Sequence, residues 1–295
     1  MKNQPHHHDC PFCQWVTNKP EFAIAENDSF LALANISPDV EGHLLIITKA
    51  QRTNITQLTE REWNDLLPIL SSVTNKLTNT LQPLGFNIYS NSGAEGAARQ
   101  AVFHFHLHVI PEREGNRGVG YLRKPWFTPS ETKFAQINET LQTNEGILQA
   151  DSHALAQLVE RDQASDAGHL TIKSKNIIAN LNQVDAETWQ QMGQLLRTGL
   201  TKLDQLNPSS CRTLFFLGQI GGLKQTNNLQ IHLIPRYQSQ GHQAKEVIPI
   251  PAEVLELAER LRQTESEVVE TTQAEQSSAE EELSIQIVVS PFKDC

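Results

Sequence analysis

Three histidines alternate with apolar residues in the segment FHFHLHVIPE, which runs from 103 to 112. Successive side chains of a β-strand point to opposite faces, so His104, His106 and His108 would share one face and the apolar residues would be buried on the other. Imidazole has an ordinary pKa of about 6.5, so near neutral pH much of it is uncharged and offers a nitrogen lone pair. Such a lone pair can attack phosphorus or bind a metal ion. The pattern therefore indicates a chemical site rather than histidines that only make hydrogen bonds in a core.

A second group of reactive side chains lies near the start of the chain, where Cys10 and Cys13 form a CxxC pair. The first residues, MKNQPHHHDC, are polar and lack the apolar core of a secretory signal, so we expect a cytoplasmic protein. Disulfides are rare in that reducing compartment, which favours metal binding by the pair. The isolated Cys211 and Cys295 are interpreted as inert.

Length, composition and charge narrow the class of protein. The 295 residues are 38% hydrophobic and 20% charged, which is typical of a soluble protein with one large or two ordinary domains. No stretch approaches the roughly 18 apolar residues of a membrane span. Residues 263–295 carry eight acidic residues and one basic residue, so most of the net charge of −10 lies there. We expect neither a membrane protein nor one that binds duplex nucleic acid, which needs a basic surface.

The chain repeats itself. GHLLIIT at 42–48 and GHLTIKS at 168–174 are displaced by 126 residues, and HLHVIP at 106–111 matches QIHLIP at 230–235 with a displacement of 124. A longer glycine-rich loop in the first copy, within SNSGAEGAARQ, accounts for the difference. The ordered agreement indicates duplication of one unit rather than chance similarity.

Two long amphipathic helices also repeat. TEREWNDLLPILSSVTNKL from Thr59 parallels DAETWQQMGQLLRTGLTKL from Asp185, with apolar residues three and four apart. Thr59 and Glu62 fit a capping box, and Asp185 is a favoured N-cap residue. FTPSETKFAQINETLQ and IPIPAEVLELAERLRQ predict a further helix at the end of each copy.

These patterns predict an α+β protein of two similar units, residues 1–142 and 146–262, each an antiparallel sheet with a long helix and a C-terminal helix. Residues 263–295 are rich in Glu, Ser, Thr and Gln and predict a mostly disordered acidic tail. Within this tail LSIQIVVSP has strand propensity and could extend a sheet edge.

The segment FHFHLHV resembles the HxHxHxx signature of the histidine triad (HIT) superfamily of nucleotide hydrolases and transferases. The resemblance continues through CPFC, NISPDVEGHLLII and RQAVFH in the first copy. Members of this family commonly pair through a sheet that continues across a dimer. The resemblance thus implies that the two units form an intramolecular pseudo-dimer within a monomer.

The resemblance also implies catalytic roles for the histidines. His106 would attack the α-phosphorus of a nucleotide and form a covalent nucleotidyl-histidine, while His104 and His108 would orient it and contact phosphate oxygens. His43 matches a histidine that the family places beside the triad. A covalent intermediate replaces one difficult displacement by two easier ones.

Substrate-binding residues follow from the same resemblance. Asn35 matches a position that contacts the ribose hydroxyls, and Asn91 and Gln100 match positions that bind phosphate or the leaving group. At Ala101 phosphoramidase-type relatives often carry a hydroxyl group that assists an amine leaving group. Alanine there disfavours phosphoramidates as substrates.

The family resemblance suggests a structural zinc ion but no cofactor for the chemistry. Some bacterial members join the CxxC pair to the first triad histidine and to a histidine after the GHxLxI strand, so Cys10, Cys13 and His104 are candidate zinc ligands. Gln51 stands at the fourth position and is a poor ligand. Either one of the histidines at 6–8 substitutes, a water fills the position, or the site has decayed.

The second copy lacks the triad. Its corresponding segment reads NLQIHLIP, in which Asn228 and Gln230 replace the first two histidines and His232 remains. Because Gln230 cannot form a covalent intermediate, we interpret the second unit as a degenerate copy with a packing role.

The leading hypothesis is a hydrolase or nucleotidyltransferase that cleaves a nucleotide polyphosphate, such as the dinucleoside polyphosphate diadenosine tetraphosphate. The first alternative is a nucleotide-binding or regulatory protein with little turnover. The second is a zinc hydrolase that uses the triad as metal ligands. The expected partner is a small nucleotide substrate, and in the regulatory alternative the acidic tail would engage a further partner.

Overall fold

The computed structural model describes residues 10–93, 102–113, 130–144, 146–164, 166–178, 180–208, 210–218, 226–237 and 249–265. Within these residues lie five α-helices: α1 (Pro11–Asn18), α2 (Glu60–Leu81), α3 (Glu131–Leu141), α4 (Ala186–Leu203) and α5 (Ala252–Gln263). The same residues form ten strands: β1 (Ala23–Glu26), β2 (Phe30–Ala34), β3 (Leu44–Thr48), β4 (Gly85–Gly93), β5 (His106–Glu112), β6 (Ile147–Ala150), β7 (Ala154–Leu158), β8 (Leu170–Ser174), β9 (Ser210–Gly218) and β10 (Thr226–Arg236).

All ten strands belong to one sheet, in the order β1-β2-β3-β5-β4-β9-β10-β8-β7-β6. Every neighbouring pair is antiparallel. The predicted α+β class with an antiparallel sheet is confirmed.

The residues up to 142, here called the N-terminal half, and those from 146, the C-terminal half, use the same strand order. The first half contributes β1-β2-β3-β5-β4 and the second β6-β7-β8-β10-β9, and the two join where β4 pairs with β9. At this junction Tyr89 stands opposite Leu214 and Gly93 stands opposite Ser210. The long helices α2 and α4 occupy equivalent places between the third and fourth strands of each half.

The starts of both long helices have the predicted caps. The Thr59 hydroxyl accepts from the Glu62 backbone N–H, and the Glu62 carboxylate accepts from the Thr59 N–H at 2.7 Å, which completes a capping box. Asp185 accepts from the Thr188 N–H at 2.7 Å. These bonds satisfy N–H groups that a helix start otherwise leaves without partners.

The two long helices meet through a pair of stacked tryptophans. The rings of Trp63 and Trp189 lie 4.4 Å apart with an interplanar angle of 9°, and both are almost fully buried. Gly193 of α4 permits this contact, because a Cβ atom there would lie 2.3 Å from Trp63 Nε1. The core of the two halves is therefore continuous across this helix pair.

The last helix of the C-terminal half packs on the N-terminal half. Four residues bury its inner face, Val254, Leu257, Ala258 and Leu261, and its neighbours include β1, β2 and α2. The ammonium of Lys76 in α2 donates to the carbonyl of Leu261 at 3.0 Å and to that of Thr264, and Arg262 donates to the Ala23 carbonyl at 2.7 Å. The sequence repeat predicts this helix but not its placement.

The helices expected at the ends of the two copies are present as α3 and α5. Residues 266–295, with the segment LSIQIVVSP, lie outside the described residues. No helix in the described parts of the chain combines the length and the apolar character that crossing a membrane requires.

Candidate active site

The three histidines of the signature lie at the start of β5. His106 and His108 belong to the strand, and the intervening Leu107 is fully buried on its other face, as the alternation predicts. His104 precedes the strand, and Phe103 is 40% exposed instead of buried. The three imidazoles do not face one cleft, because His104 is fully buried against the CxxC pair.

The ring of His106 is held by its own backbone neighbour. Nδ1 lies 2.8 Å from the carbonyl oxygen of His104. A carbonyl only accepts, so Nδ1 carries the proton and Nε2 keeps its lone pair. Burial lowers the pKa of His106, although the bond to the His104 carbonyl raises it in part. The ring is therefore a neutral imidazole whose lone pair lies on Nε2, the nitrogen away from the His104 carbonyl.

His108 is oriented by a relay that starts at a backbone amide. The N–H of Asp39 donates to His43 Nδ1 at 3.1 Å, which places the ring proton of a neutral His43 on Nε2. This Nε2 lies 2.9 Å from His108 Nδ1 and donates to it. A neutral His108 then carries its proton on Nε2.

Tyr89 supports this arrangement, although the sequence analysis missed it. Its ring stacks on His108 with centroids 4.5 Å apart and an angle of 16°. Tyr89 stands directly opposite His108 in the pairing of β4 with β5. The signal in the sequence is the alternation NIYSN, which places Asn87, Tyr89 and Asn91 on one face of β4.

The structure places two of the three predicted substrate-binding residues and does not describe the third. Asn35 follows β2, and its Nδ2 lies 3.2 Å from His43 Nε2, so it borders the imidazole pair. Asn91 is a buried residue of β4, two positions beyond Tyr89 on the same face. Gln100 and Ala101 lie outside the described residues.

Cys10, Cys13 and His104 come together as one buried cluster whose ligand atoms all lie within 4.8 Å of one another. His104 Nδ1 is 3.6 Å from the Cys10 sulfur and 3.5 Å from the Cys13 sulfur. His104 Nε2 donates to the Thr48 carbonyl at 2.8 Å, so the Nδ1 lone pair points to the sulfurs. Two sulfurs and an imidazole nitrogen are ligands that zinc prefers, and the cluster fits that ion. Gln51 Oε1 is buried with no hydrogen-bond partner among the described residues.

The C-terminal half contains a related pair of imidazoles. His169 Nε2 lies 2.9 Å from His232 Nδ1, and the ring centroids are 5.1 Å apart, the same separation as in the pair His43 and His108. The triad motif does not point to His169, but the repeat does, because GHLTIKS contains it at the position of His43 in GHLLIIT.

Two other C-terminal residues reproduce hydrogen bonds of the triad. Asn228 Nδ2 donates to the Ser174 carbonyl at 2.9 Å, as His104 donates to Thr48. Gln230 Oε1 lies 3.2 Å from His232 Nε2. The half thus keeps the geometry around the triad position without a nucleophile at its centre.

Comparisons with known proteins indicate the family of the chain. The HIT domain model matches residues 16–115. An uncharacterized HIT-like protein of Mycoplasma genitalium is 35% identical over 113 residues, which are 38% of this chain and 79% of that protein. The adenosine 5'-monophosphoramidase hnt1 of Schizosaccharomyces pombe is 33% identical over 127 residues, which are 42% of this chain and 90% of that protein.

A solved uridylyltransferase resembles the chain over both halves. The TM-score is 0.54 with 13% sequence identity, and the match covers 89% of this chain and 92% of that one. At this identity the likeness concerns the fold alone. The family model and the two relatives show that the chain belongs to the HIT family, as the motif predicted, and so to a class of hydrolases and transferases that act at phosphorus.

Proposed function

We propose that the protein is a nucleotidyl hydrolase or transferase that cleaves a nucleotide polyphosphate, such as diadenosine tetraphosphate, through a covalent intermediate on His106. The observation that carries this proposal is the bond from His106 Nδ1 to the His104 carbonyl at 2.8 Å. It fixes the tautomer whose Nε2 can attack phosphorus.

In the first step His106 Nε2 attacks the α-phosphorus, the bond from this phosphorus to the leaving oxygen breaks, and its electron pair goes to that oxygen. The Nε2 proton of His108, set by the relay through His43, would hydrogen-bond a phosphoryl oxygen or the leaving oxygen. In the second step water or another acceptor attacks the same phosphorus, and the phosphorus–nitrogen bond breaks to restore neutral His106. Water gives hydrolysis, and any other acceptor gives transfer.

The nucleotide is proposed to be an adenosine compound, because the named relative from Schizosaccharomyces pombe is an adenosine 5'-monophosphoramidase. That name favours a second candidate substrate, an adenosine phosphoramidate. Alanine at 101 favours the anhydride, since it offers no hydroxyl group to an amine leaving group. Turnover of the two substrates separates these candidates.

We further infer that the halves are tandem copies arranged as an internal pseudo-dimer with one active site. The mirrored strand orders support this arrangement. So does the pairing of β4 with β9, where Tyr89 faces Leu214, its own counterpart 125 positions later. A twofold axis between two copies brings equivalent residues together in this way. The protein would then be a monomer, and a cytoplasmic location remains the prediction.

A structural zinc ion completes the proposal. Cys10, Cys13 and His104 would hold it, and it would supply no step of the reaction. Its proposed effect is positional, because His104 also presents the carbonyl that fixes the His106 ring.

Intact-protein mass spectrometry after brief mixing with diadenosine tetraphosphate or adenosine 5'-phosphoramidate tests the proposal. The parent should gain the mass of one adenylyl group and should turn over the substrate. His106→Asn should do neither, while the matched variant His232→Asn in the other half should react as the parent does. Turnover by folded His106→Asn at the parent rate would end the proposal. Binding of the nucleotides by the parent without turnover would favour the regulatory alternative.

A further inference from the structure

On the face of the C-terminal sheet around His232, β8 carries polar residues at two positions where the N-terminal half has apolar ones. Where β10 pairs with β8, Gln230 stands opposite Lys173 and His232 stands opposite Thr171. The equivalent pairs in the N-terminal half place Ile47 opposite His106 and Leu45 opposite His108. Residues opposite one another in a sheet point to the same face. Lys173 and Thr171 therefore place an amine and a hydroxyl group where the first half has two apolar residues.

The hydroxyl group of Thr171 has no hydrogen-bond partner among the described residues, although the residue is only 2% exposed. A buried hydroxyl group without a partner destabilises a folded protein unless a ligand completes its hydrogen bonds. Its register neighbours are His232 on β10 and Gln157 on β7. The hydroxyl group thus lies on the face of the imidazole pair as an unused donor.

Gln230 and Lys173 supply further donors on this face. His232 Nε2 donates to Gln230 Oε1, which leaves the Gln230 NH₂ group with no partner in the described parts of the chain. Burial, with a smaller effect of Lys173, lowers the pKa of His232 to about 3, and burial lowers the pKa of His169 well below its ordinary value. Both rings are neutral near pH 7. Lys173 therefore supplies the positive charge.

The register neighbours on β7 add no acid to this face, since Leu155 stands opposite Lys173 and Gln157 opposite Thr171. The nearby carboxylate of Asp166 lies 3.4 Å from the Arg236 guanidinium and forms an ion pair with it. Among the described residues this face therefore presents three donors, an ammonium, a hydroxyl group and an amide NH₂, with no acid at the opposing positions of β7, and such a set suits a phosphate oxygen. The amide at the triad centre cannot attack phosphorus.

We propose that Thr171, Lys173 and Gln230, which lie beside His232, form a second site that binds a phosphate monoester anion without cleaving it. The site is distinct from His106 and goes beyond the proposed reaction, because it predicts that the C-terminal half binds a ligand in addition to packing. The same chemistry would be offered by inorganic phosphate and by the phosphate of a nucleoside monophosphate.

NMR of the full chain with ¹⁵N-labelled histidine rings tests the proposal directly. The His232 signals, assigned with His232→Gln, should shift and saturate during titration with adenosine 5'-monophosphate. Inorganic phosphate should move the same signals, and tighter binding of the nucleotide would identify a nucleoside contribution. Unmoved His232 signals at millimolar concentrations of both probes would overturn the proposal.

Two variants, measured separately, test whether Thr171 and Lys173 bind the anion. Thr171→Val conserves the shape of the side chain, and Lys173→Ile introduces the residue type of the other half. Each should raise the Kd measured from the His232 shifts by at least about tenfold, which is the effect of losing a hydrogen bond to a charged group. Lys175→Ile, at an exposed lysine two residues beyond Lys173, is the matched control and should bind as the parent does. If either variant is folded and binds the anion as tightly as the parent, the site is assigned to the wrong residues.

Discussion

The indole N–H of Trp63 donates to the backbone carbonyl of Trp189, and the indole of Trp189 returns the same bond to the carbonyl of Trp63, both at 2.7 Å. Each ring thereby bonds a helix carbonyl of the other half while its face stacks on its partner. The two halves are thus joined at the helices as well as through β4 and β9. Stability of the junction should depend on the space that the rings occupy.

Gly193→Ala should destabilise the protein by about 2 kcal/mol. The added methyl would lie 2.3 Å from Trp63 Nε1, so the ring must move and its bond to Trp189 must lengthen or break. Overpacking and a lost buried hydrogen bond each cost about 1–3 kcal/mol, while alanine in place of glycine returns about 1 kcal/mol of helix propensity. Urea unfolding of the variant gives the difference.

Gly199→Ala in the same helix is the matched control. Its methyl would meet the end of the Leu233 side chain at 2.9 Å, and a leucine methyl can shift where a hydrogen-bonded indole cannot. We expect a change below about 1 kcal/mol. Equal losses from the two substitutions would contradict the special role of the tryptophan pair.

The sequence alone predicts much of this fold because the repeated patterns are local. The helix periodicity, the capping box at Thr59 and the alternation around His106 all depend on residues close in the chain. The reciprocal tryptophan bonds depend on residues 126 positions apart, and the packing of α5 on the first half depends on Lys76 and Arg262. Spacing within one segment contains no information on such long-range contacts.

In the candidate site, too, the sequence predicts the local pattern but not the long-range contacts. The motif predicts His106 as a site residue, but the tautomer that keeps the lone pair on Nε2 follows from the position of the His104 carbonyl. The support of His108 by Tyr89 arises from the register of β4 against β5. His104 departs from the expected strand because its ring bonds Thr48 and lies against the cysteines. Tertiary partners determine these details.

His43→Phe should lower kcat by about 10- to 100-fold on a dinucleoside polyphosphate and change KM little. The substitution keeps a buried ring and removes the donor that holds the His108 Nδ1 lone pair, so the proton at His108 Nε2 is no longer fixed. The loss should shrink for an adenylyl ester of nitrophenol, whose leaving group needs no proton. His153→Gln, on the surface of the other half, should retain parent activity. An equal loss on both substrates would argue for general disruption instead.

Cys13→Ser should lower the zinc content from about one ion per chain to well below one. The substitution removes one of two sulfurs beside His104 Nδ1, and a hydroxyl group is a weak zinc ligand. Cys211→Ser is the control, because burial raises the pKa of this thiol to about 12 and it lies outside the cluster. Metal analysis after purification without added zinc gives the ratio. A parent protein without zinc, or a zinc-loaded Cys13→Ser variant, would contradict the structural site.

Stability should decrease as the pH falls below about 6.5, in part because of His232. Burial holds the pKa of His232 at about 3 in the folded chain, against an ordinary value of 6.5. Between these values the unfolded chain binds the proton and the folded chain does not, so this residue lowers the free energy of unfolding by about 1.4 kcal/mol per pH unit. His232→Gln cannot titrate and should show a shallower decrease in urea unfolding from pH 7 to pH 4. The same slope in parent and variant would refute this contribution.

Residues 1–145 alone should not behave as a compact monomer. The fragment would expose the edge of β4 from Ile88 to Gly93, which pairs with β9 in the full chain, and it would expose the face of Trp63. It would also lack α5, which covers β1 and β2. An unpaired strand edge beside an apolar ring favours association with a second copy. Light scattering should therefore find a monomer for the full chain and a dimer or larger species for the fragment. A monomeric fragment with a cooperative unfolding transition would show that the N-terminal half is stable without its partner.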